Sequence, residues 1–143
     1  MADIVHDFPI AAPIARVFDT LCSPAGLDAW WTLESEGKPG RGETYRLGFG
    51  PGYDWRAVMS RYEPGRAVEW EMTQADADWT GTRVGFTLEP MDDGTHVRFH
   101  HTGWPEANAH YRTSCFCWAM YLRLLTRHVE RGEVVPYADR LSA

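Results

Sequence analysis

Four stretches of the chain alternate apolar and polar residues, and one long helical stripe follows them. Residues 3–10 put Ile4, His6, Phe8 and Ile10 on one face against Asp3, Val5 and Asp7. Val68, Trp70 and Met72 alternate with Glu69, Glu71 and Thr73 over 66–74. Val84, Phe86 and Leu88 alternate with Arg83, Thr87 and Glu89 over 80–89. Val97, Phe99 and His101 alternate with His96, Arg98 and His100 over 95–102. Strand side chains point to opposite faces in turn, so each stretch reads as a strand with one buried and one solvated face. Over 107–131 the period changes. Tyr111, Cys115, Trp118, Leu122, Leu125 and Val129 step by fours and threes, the stripe of an amphipathic helix, and Gly132 is a natural stop.

Punctuation fills in the rest. Pro13 opens a short helix whose stripe is Val17, Phe18 and Leu21, and Ser23-Pro24 interrupts it and starts a second one reaching Trp30-Trp31. Residues 32–43 read as a loop, 43–49 and 53–62 as further strands, and 75–79 as a polar loop. Asp92-Asp-Gly94 is a hairpin turn. Gly48-Phe-Gly-Pro-Gly52 is also a turn, because the phosphate-loop spacing G-x-G-x-x-G fails at Tyr53 and no helix follows. Strands grouped between helices imply an α+β fold: an antiparallel sheet of about six to seven strands wrapped around one long C-terminal helix, with two short helices after the first strand. One domain over 1–143 is expected, with its core at 4–131 and a short tail at 132–143.

Charge narrows the partners. Thirteen Arg and one Lys stand against twenty acids, a formal net charge of −6, which argues against nucleic acid and anionic membranes as bulk partners. No stretch reads as a signal peptide, a membrane span or a prenylation box, so the expectation is a cytoplasmic protein. Three cysteines, Cys22, Cys115 and Cys117, suit reduced thiols better than a disulfide framework. Nineteen aromatic residues, seven of them Trp, pose the remaining question of what so many rings pack around.

Ile10-Ala-Ala-Pro13 with Val17-Phe18, then Pro24-Ala-Gly-Leu27 and Trp30-Trp31, then Gly94-Thr-His-Val97 and His101-Thr-Gly-Trp104, then Trp118 with Leu122 and Leu125, occur in a familiar order. Together they resemble the START-like superfamily, also called SRPBCC, with its helix-grip fold. Within it the chain is similar to the branch named after the activator of heat-shock-protein-90 ATPase. The resemblance spans roughly residues 4–131. It implies a cavity between sheet and long helix that holds an apolar or amphipathic small molecule. The eukaryotic chaperone activators carry a second domain, for which this chain has no room, so the family name is not read as an activity.

By parity, the concave face carries Met59, Trp70, Met72, Phe86, Phe99 and His101. Tyr111, Cys115, Trp118 and Leu122 close it from the helix, and Trp30 and Trp31 sit near its mouth. These twelve are the expected ligand-binding residues, a mostly apolar set with few polar groups. No catalytic residue is assigned; His101, on the apolar parity of its strand, is the one weak candidate for acid–base work. His96 and His100 face away from His101, so no metal site is expected, and no cofactor is called for. The first reading is a binder of a small hydrophobic or aromatic ligand, leaning away from an enzyme. A cyclase- or dehydratase-like enzyme using His101 is the alternative. A co-chaperone or stress-response interaction module is the third reading, although no residue supports a chaperone contact. A homodimer is compatible with the surplus of aromatic residues, and the sequence shows no interface for one.

Overall fold

The structure, a computed structural model, describes residues 2–143. β1 (Ala2–Ile10) is followed by α1 (Ile14–Cys22) and α2 (Pro24–Trp30). Then come β2 (Glu34–Glu36), β3 (Thr44–Gly48), β4 (Asp54–Glu63), β5 (Ala67–Gln74), β6 (Arg83–Met91), β7 (Gly94–Trp104) and α3 (Ala109–Arg131). A 3-10 turn covers Tyr137–Ser142. The strands form one antiparallel sheet in the order β1-β7-β6-β5-β4-β3-β2. Strands β2 to β7 are a meander of neighbours, and β1 closes onto the last of them. The α+β class, the two short helices and the long C-terminal helix are as the residue pattern predicts. β2 is an addition inside the segment expected to be loop, and its three residues are too few to show a period.

Local chemistry sets the element ends. Ser23, extended because Pro24 follows it, ends α1 and caps α2; its hydroxyl accepts from Gly26 N–H at 3.0 Å. Gly26 is required by contact: a Cβ there would stand 2.3 Å from the Thr20 carbonyl oxygen. Asn108 caps α3 by accepting from Tyr111 N–H at 2.9 Å, and Gly132 ends it in the left-handed region at φ +70°.

The sheet's concave face and α3 hold the core. Trp30, Tyr45, Trp70, Phe86, Phe99 and Trp104 are among its largest fully buried side chains. On α3 the buried stripe is Ser114, Trp118, Leu122, Leu124, Leu125 and Val129. Tyr111 and Cys115 are only half-buried, because they lean toward β1: Tyr111 donates its hydroxyl to the Asp3 carbonyl at 2.6 Å, and Cys115 Sγ lies 4.0 Å from His6 Nε2. The segment after Gly132, expected to be a plain tail, is docked. Buried Arg140 donates to the carbonyls of Asp28, Thr32 and Val135 at 2.7, 3.0 and 3.0 Å, placing a cation where α2 ends.

Candidate functional site

Ten of the twelve expected residues are buried in one interior, and that interior is packed with rings. Trp118 sits at its centre, 4.5 Å from Phe99, 5.2 Å from Trp31 and 6.0 Å from His101 between ring centroids. Trp31 stacks on Trp30, which meets Phe86 edge-on. Further along the sheet Trp70 meets Tyr45 edge-on at 5.6 Å, and the Tyr45 hydroxyl donates to the Cys22 carbonyl at 2.6 Å. Met59 and Met72 are fully buried. Burial pushes the Cys22 thiol up to about 12, so it packs as a small hydrophobe. Tyr111 and Cys115 lie at the β1 margin of this interior rather than inside it.

The ring that completes the packing is one the residue pattern places in a polar loop. Trp79, between β5 and β6, is 8% exposed. Its indole stacks on Trp118 at 5.8 Å and 20°, meets His101 edge-on at 4.5 Å, and touches Trp55 at 5.1 Å and Trp104 at 6.1 Å. The space expected to lie open between sheet and helix is therefore occupied here by the protein's own side chain. The loop is anchored outside by Asp78, whose Oδ2 accepts from His110 Nδ1 at 3.0 Å and from Asn108 Nδ2 at 3.3 Å. The His110 bond, and then the Asn108 bond, hold the Asp78 carboxyl below its usual range. Asp78 thus ties the 75–79 loop to the start of α3.

His101 is fully buried, and its proton positions can be worked out from its partners. An indole N–H only donates, so Nδ1 of His101 accepts from Trp118 Nε1 at 3.0 Å. Nε2 therefore carries the proton and donates to Thr82 Oγ1 at 2.8 Å. The Thr82 hydroxyl in turn donates to the Trp79 carbonyl at 2.5 Å. Adding a second proton would set two donors against each other at Nδ1. Burial, followed by the charges of His100 and His110, pushes the imidazole down to about 3. At neutral pH His101 is an uncharged linking group with both nitrogens committed.

Buried donors without acceptors mark the same interior. The indole N–H groups of Trp30, Trp70, Trp79 and Trp104 are buried and unpartnered. Each such group costs about 1–3 kcal/mol when left unmade. The other two imidazoles of β7 serve other ends: His96 faces Asp7 at 3.7 Å, and His100 holds Glu69 at 2.8 Å on the opposite sheet face. Among the described residues no group of three or more His, Cys, Asp or Glu side chains could hold a metal.

Two hollows open to solvent lie elsewhere. One, of about 840 Å³, runs between β1 and the second half of α3; Leu122 is the one expected site residue in its wall. Several of its charges are already engaged, Arg127 by Glu133 and Glu130 by the Ala11 N–H. The other, of about 370 Å³, lies between α1 and the β4–β5 turn and includes none of the twelve. Size alone would favour the first. The ring-lined interior is the better candidate, since it concentrates buried surface and unmade hydrogen bonds.

A long helix gripped by a curved antiparallel sheet around an aromatic interior defines the helix-grip class. The family model described as "Activator of Hsp90 ATPase homolog 1-like protein" matches residues 11–130, and the chain belongs to this family. The solution structure of the Aha1 dimer from Colwellia psychrerythraea is similar, with 28% identity and a TM-score of 0.84 over 93% of this chain and 99% of that one. Protein MLL2253 from Mesorhizobium loti superimposes with a TM-score of 0.80 at 21% identity, covering 93% of this chain and 100% of its own. CalU16 from Micromonospora echinospora does so with 0.76 at 22% identity, covering 98% and 81%. These last two establish the fold alone. Among curated proteins none matches the sequence significantly.

Thr82 and Trp79 were not among the expected site residues. Thr82 shares the parity of Val84 and Phe86, an inward polar position that alternation alone could have exposed. Trp55 likewise shares the inward parity of Ala57 and Met59. Trp79 has no such signal, because loop residues follow no period.

Proposed function

We propose that this protein binds a small hydrophobic or aromatic molecule between the sheet and α3, beside His101. The observation that carries the reading is the set of four buried indole N–H groups without acceptors in an interior otherwise lined by rings. Such an interior matches a flat apolar guest that brings a few acceptor atoms and no charge. The family's fold supports the same reading. Binding is favoured over acid–base catalysis because His101 is neutral and holds a partner at each nitrogen. The test is native mass spectrometry of freshly purified protein, before and after addition of coumarin, flavone and 2-naphthol. A one-to-one adduct that is lost in Trp118→Ala supports the reading. The unliganded mass alone under every condition overturns it.

A second reading concerns assembly. The Colwellia relative is described as a dimer, and in this chain β1 is an edge strand whose Val5 is 66% exposed. Edge strands are templates for pairing with another chain. The homodimer reading predicts a two-chain mass by light scattering that drops to one chain in Val5→Lys; a one-chain mass for the unaltered protein at high concentration contradicts it.

A further inference from the structure

We infer that Trp79 is a built-in occupant of the ligand site, and that the ligand is a flat bicyclic aromatic carrying a hydrogen-bond acceptor, which takes its place. The inference rests on the binding reading above and makes it specific.

Remove the Trp79 indole, and the space it leaves is bounded by Trp118 on a parallel face, with His101, Trp55 and Trp104 around it. A box that stacks one indole is complementary to a loose ring system of the same thickness and width. The occupant is also an imperfect fit. Its Nε1–H is buried without an acceptor, as is that of neighbouring Trp104. Turned out to water, the Trp79 donor would be hydrated. A guest with a carbonyl or ring nitrogen could also serve the Trp104 donor, which an indole ring cannot do. The exchange is therefore between a closed state with unmade hydrogen bonds and an open state that regains them.

The loop is built to allow that exchange. Trp79 is carried by the short connection between β5 and β6, a turn whose own bonds are local: Trp79 and Thr80 N–H donate to the Asp76 carbonyl at 3.0 and 2.9 Å, and bonding back to β5 resumes with Gly81 N–H to the Met72 carbonyl at 2.7 Å. Gly81 has φ +88° and open space around its Cβ position, so the chain can pivot there. On the solvent side the Thr80 hydroxyl closes the turn on the Ala75 and Asp76 backbone, and Asp78 ties it to α3 through His110 and Asn108. The tie on the interior side is the Thr82 hydroxyl, which itself hangs from His101. Ligand affinity is lowered by the fraction of molecules in which Trp79 is in place. Loosening Asp78 should thus strengthen binding without creating a hole.

Coumarin is the probe, titrated calorimetrically into the full chain, Asp78→Ala and Trp79→Ala. 5-Fluorotryptophan labelling gives a 19F signal for Trp79, assigned from Trp79→Phe. The expected result is a dissociation constant about five-fold or more lower in Asp78→Ala than in the unaltered chain. It should be lower still in Trp79→Ala, and on saturation the Trp79 signal of the unaltered chain should move to a solvent-exposed position. A merely structural Trp79 would give no gain in Asp78→Ala. Equal affinity in the unaltered chain and Asp78→Ala, with an unmoved Trp79 signal, overturns the inference and leaves the wider binding reading standing. No binding to any of the three overturns both. Should Trp79→Ala fail to fold, Asp78→Ala and the 19F signal still decide.

Discussion

His100 and His101 are neighbours in sequence and occupy different solvents. His101 points into the concave side, fully buried, between two uncharged partners, and stays neutral far below its usual range. His100 points to the convex side and reaches across β6 to Glu69 on β5. That reach is open because Gly85 lies between them; a Cβ on Gly85 would stand 2.6 Å from the His100 ring. Glu69, which also accepts from the Ser60 hydroxyl at 2.8 Å, is held below the usual carboxylate range chiefly by the His100 bond. One residue step along a strand thus separates a polar group serving a ring-lined interior from one serving a charged surface. The pleat alone does this.

The largest effect should come from the concave side. Trp118→Ala removes the central ring and the donor to His101 Nδ1 together, and is expected to cost about 3–5 kcal/mol by urea unfolding. A loss below about 1 kcal/mol would show that the interior is far looser than its ring contacts imply.

The pH response should separate the two histidines next. The pKa of His101 is lower folded than unfolded, so between about 3 and about 6.5 the unfolded chain binds the extra proton. Stability rises with pH through that window, by up to about 1.4 kcal/mol per unit from this group, and is fully present above it. Subtracting the profile of His101→Gln from that of the unaltered chain should isolate this slope, while His100→Ala retains it. Glu69, also depressed, contributes stability above the unfolded carboxylate range that is lost as pH falls through its lower folded value. A flat difference profile for His101→Gln would contradict the neutral, committed imidazole.

Smaller effects belong to the convex side. Gly85→Ala should cost about 1–3 kcal/mol, because the new methyl meets the His100 ring and the Val68 carbonyl. The same change in a His100→Ala background should cost less, since the ring is gone; equal costs would mean the two residues are independent. His100→Ala alone should cost about 1 kcal/mol. Arg83→Ala, which removes partly exposed pairs to Glu69 and Glu71 at 3.7 and 3.3 Å, should stay within about 0.5 kcal/mol.

The same contrast explains what was legible in the residues. Alternation along Val84–Leu88 and Val97–His101 is enough to place both sheet faces, and the Tyr111–Val129 stripe is enough to place α3. His101 is visible as a polar group on an apolar parity. Of its partners, Thr82 carries the inward parity of Val84 and Phe86, whereas Trp118 comes from another element whose stripe does not say which strand it meets. Trp79 is invisible to any periodicity, because its burial depends on where a loop lands after the sheet has curved. Gly85 looks like a weak point in a strand until the ring lying over it is seen. Arg140 looks like tail until the end of α2 is found beside it. Period encodes faces; it does not encode which loop folds back over a face.

Whether the ring-lined interior takes a ligand is read from its own indole N–H groups in a 1H–15N NMR titration with coumarin. A guest in that interior gives saturable shifts of the Trp79 and Trp104 N–H signals, with the Trp104 signal moving in the direction of hydrogen-bond formation. Unmoved interior indole signals up to the solubility limit, in a protein that remains folded, would contradict a ligand site there.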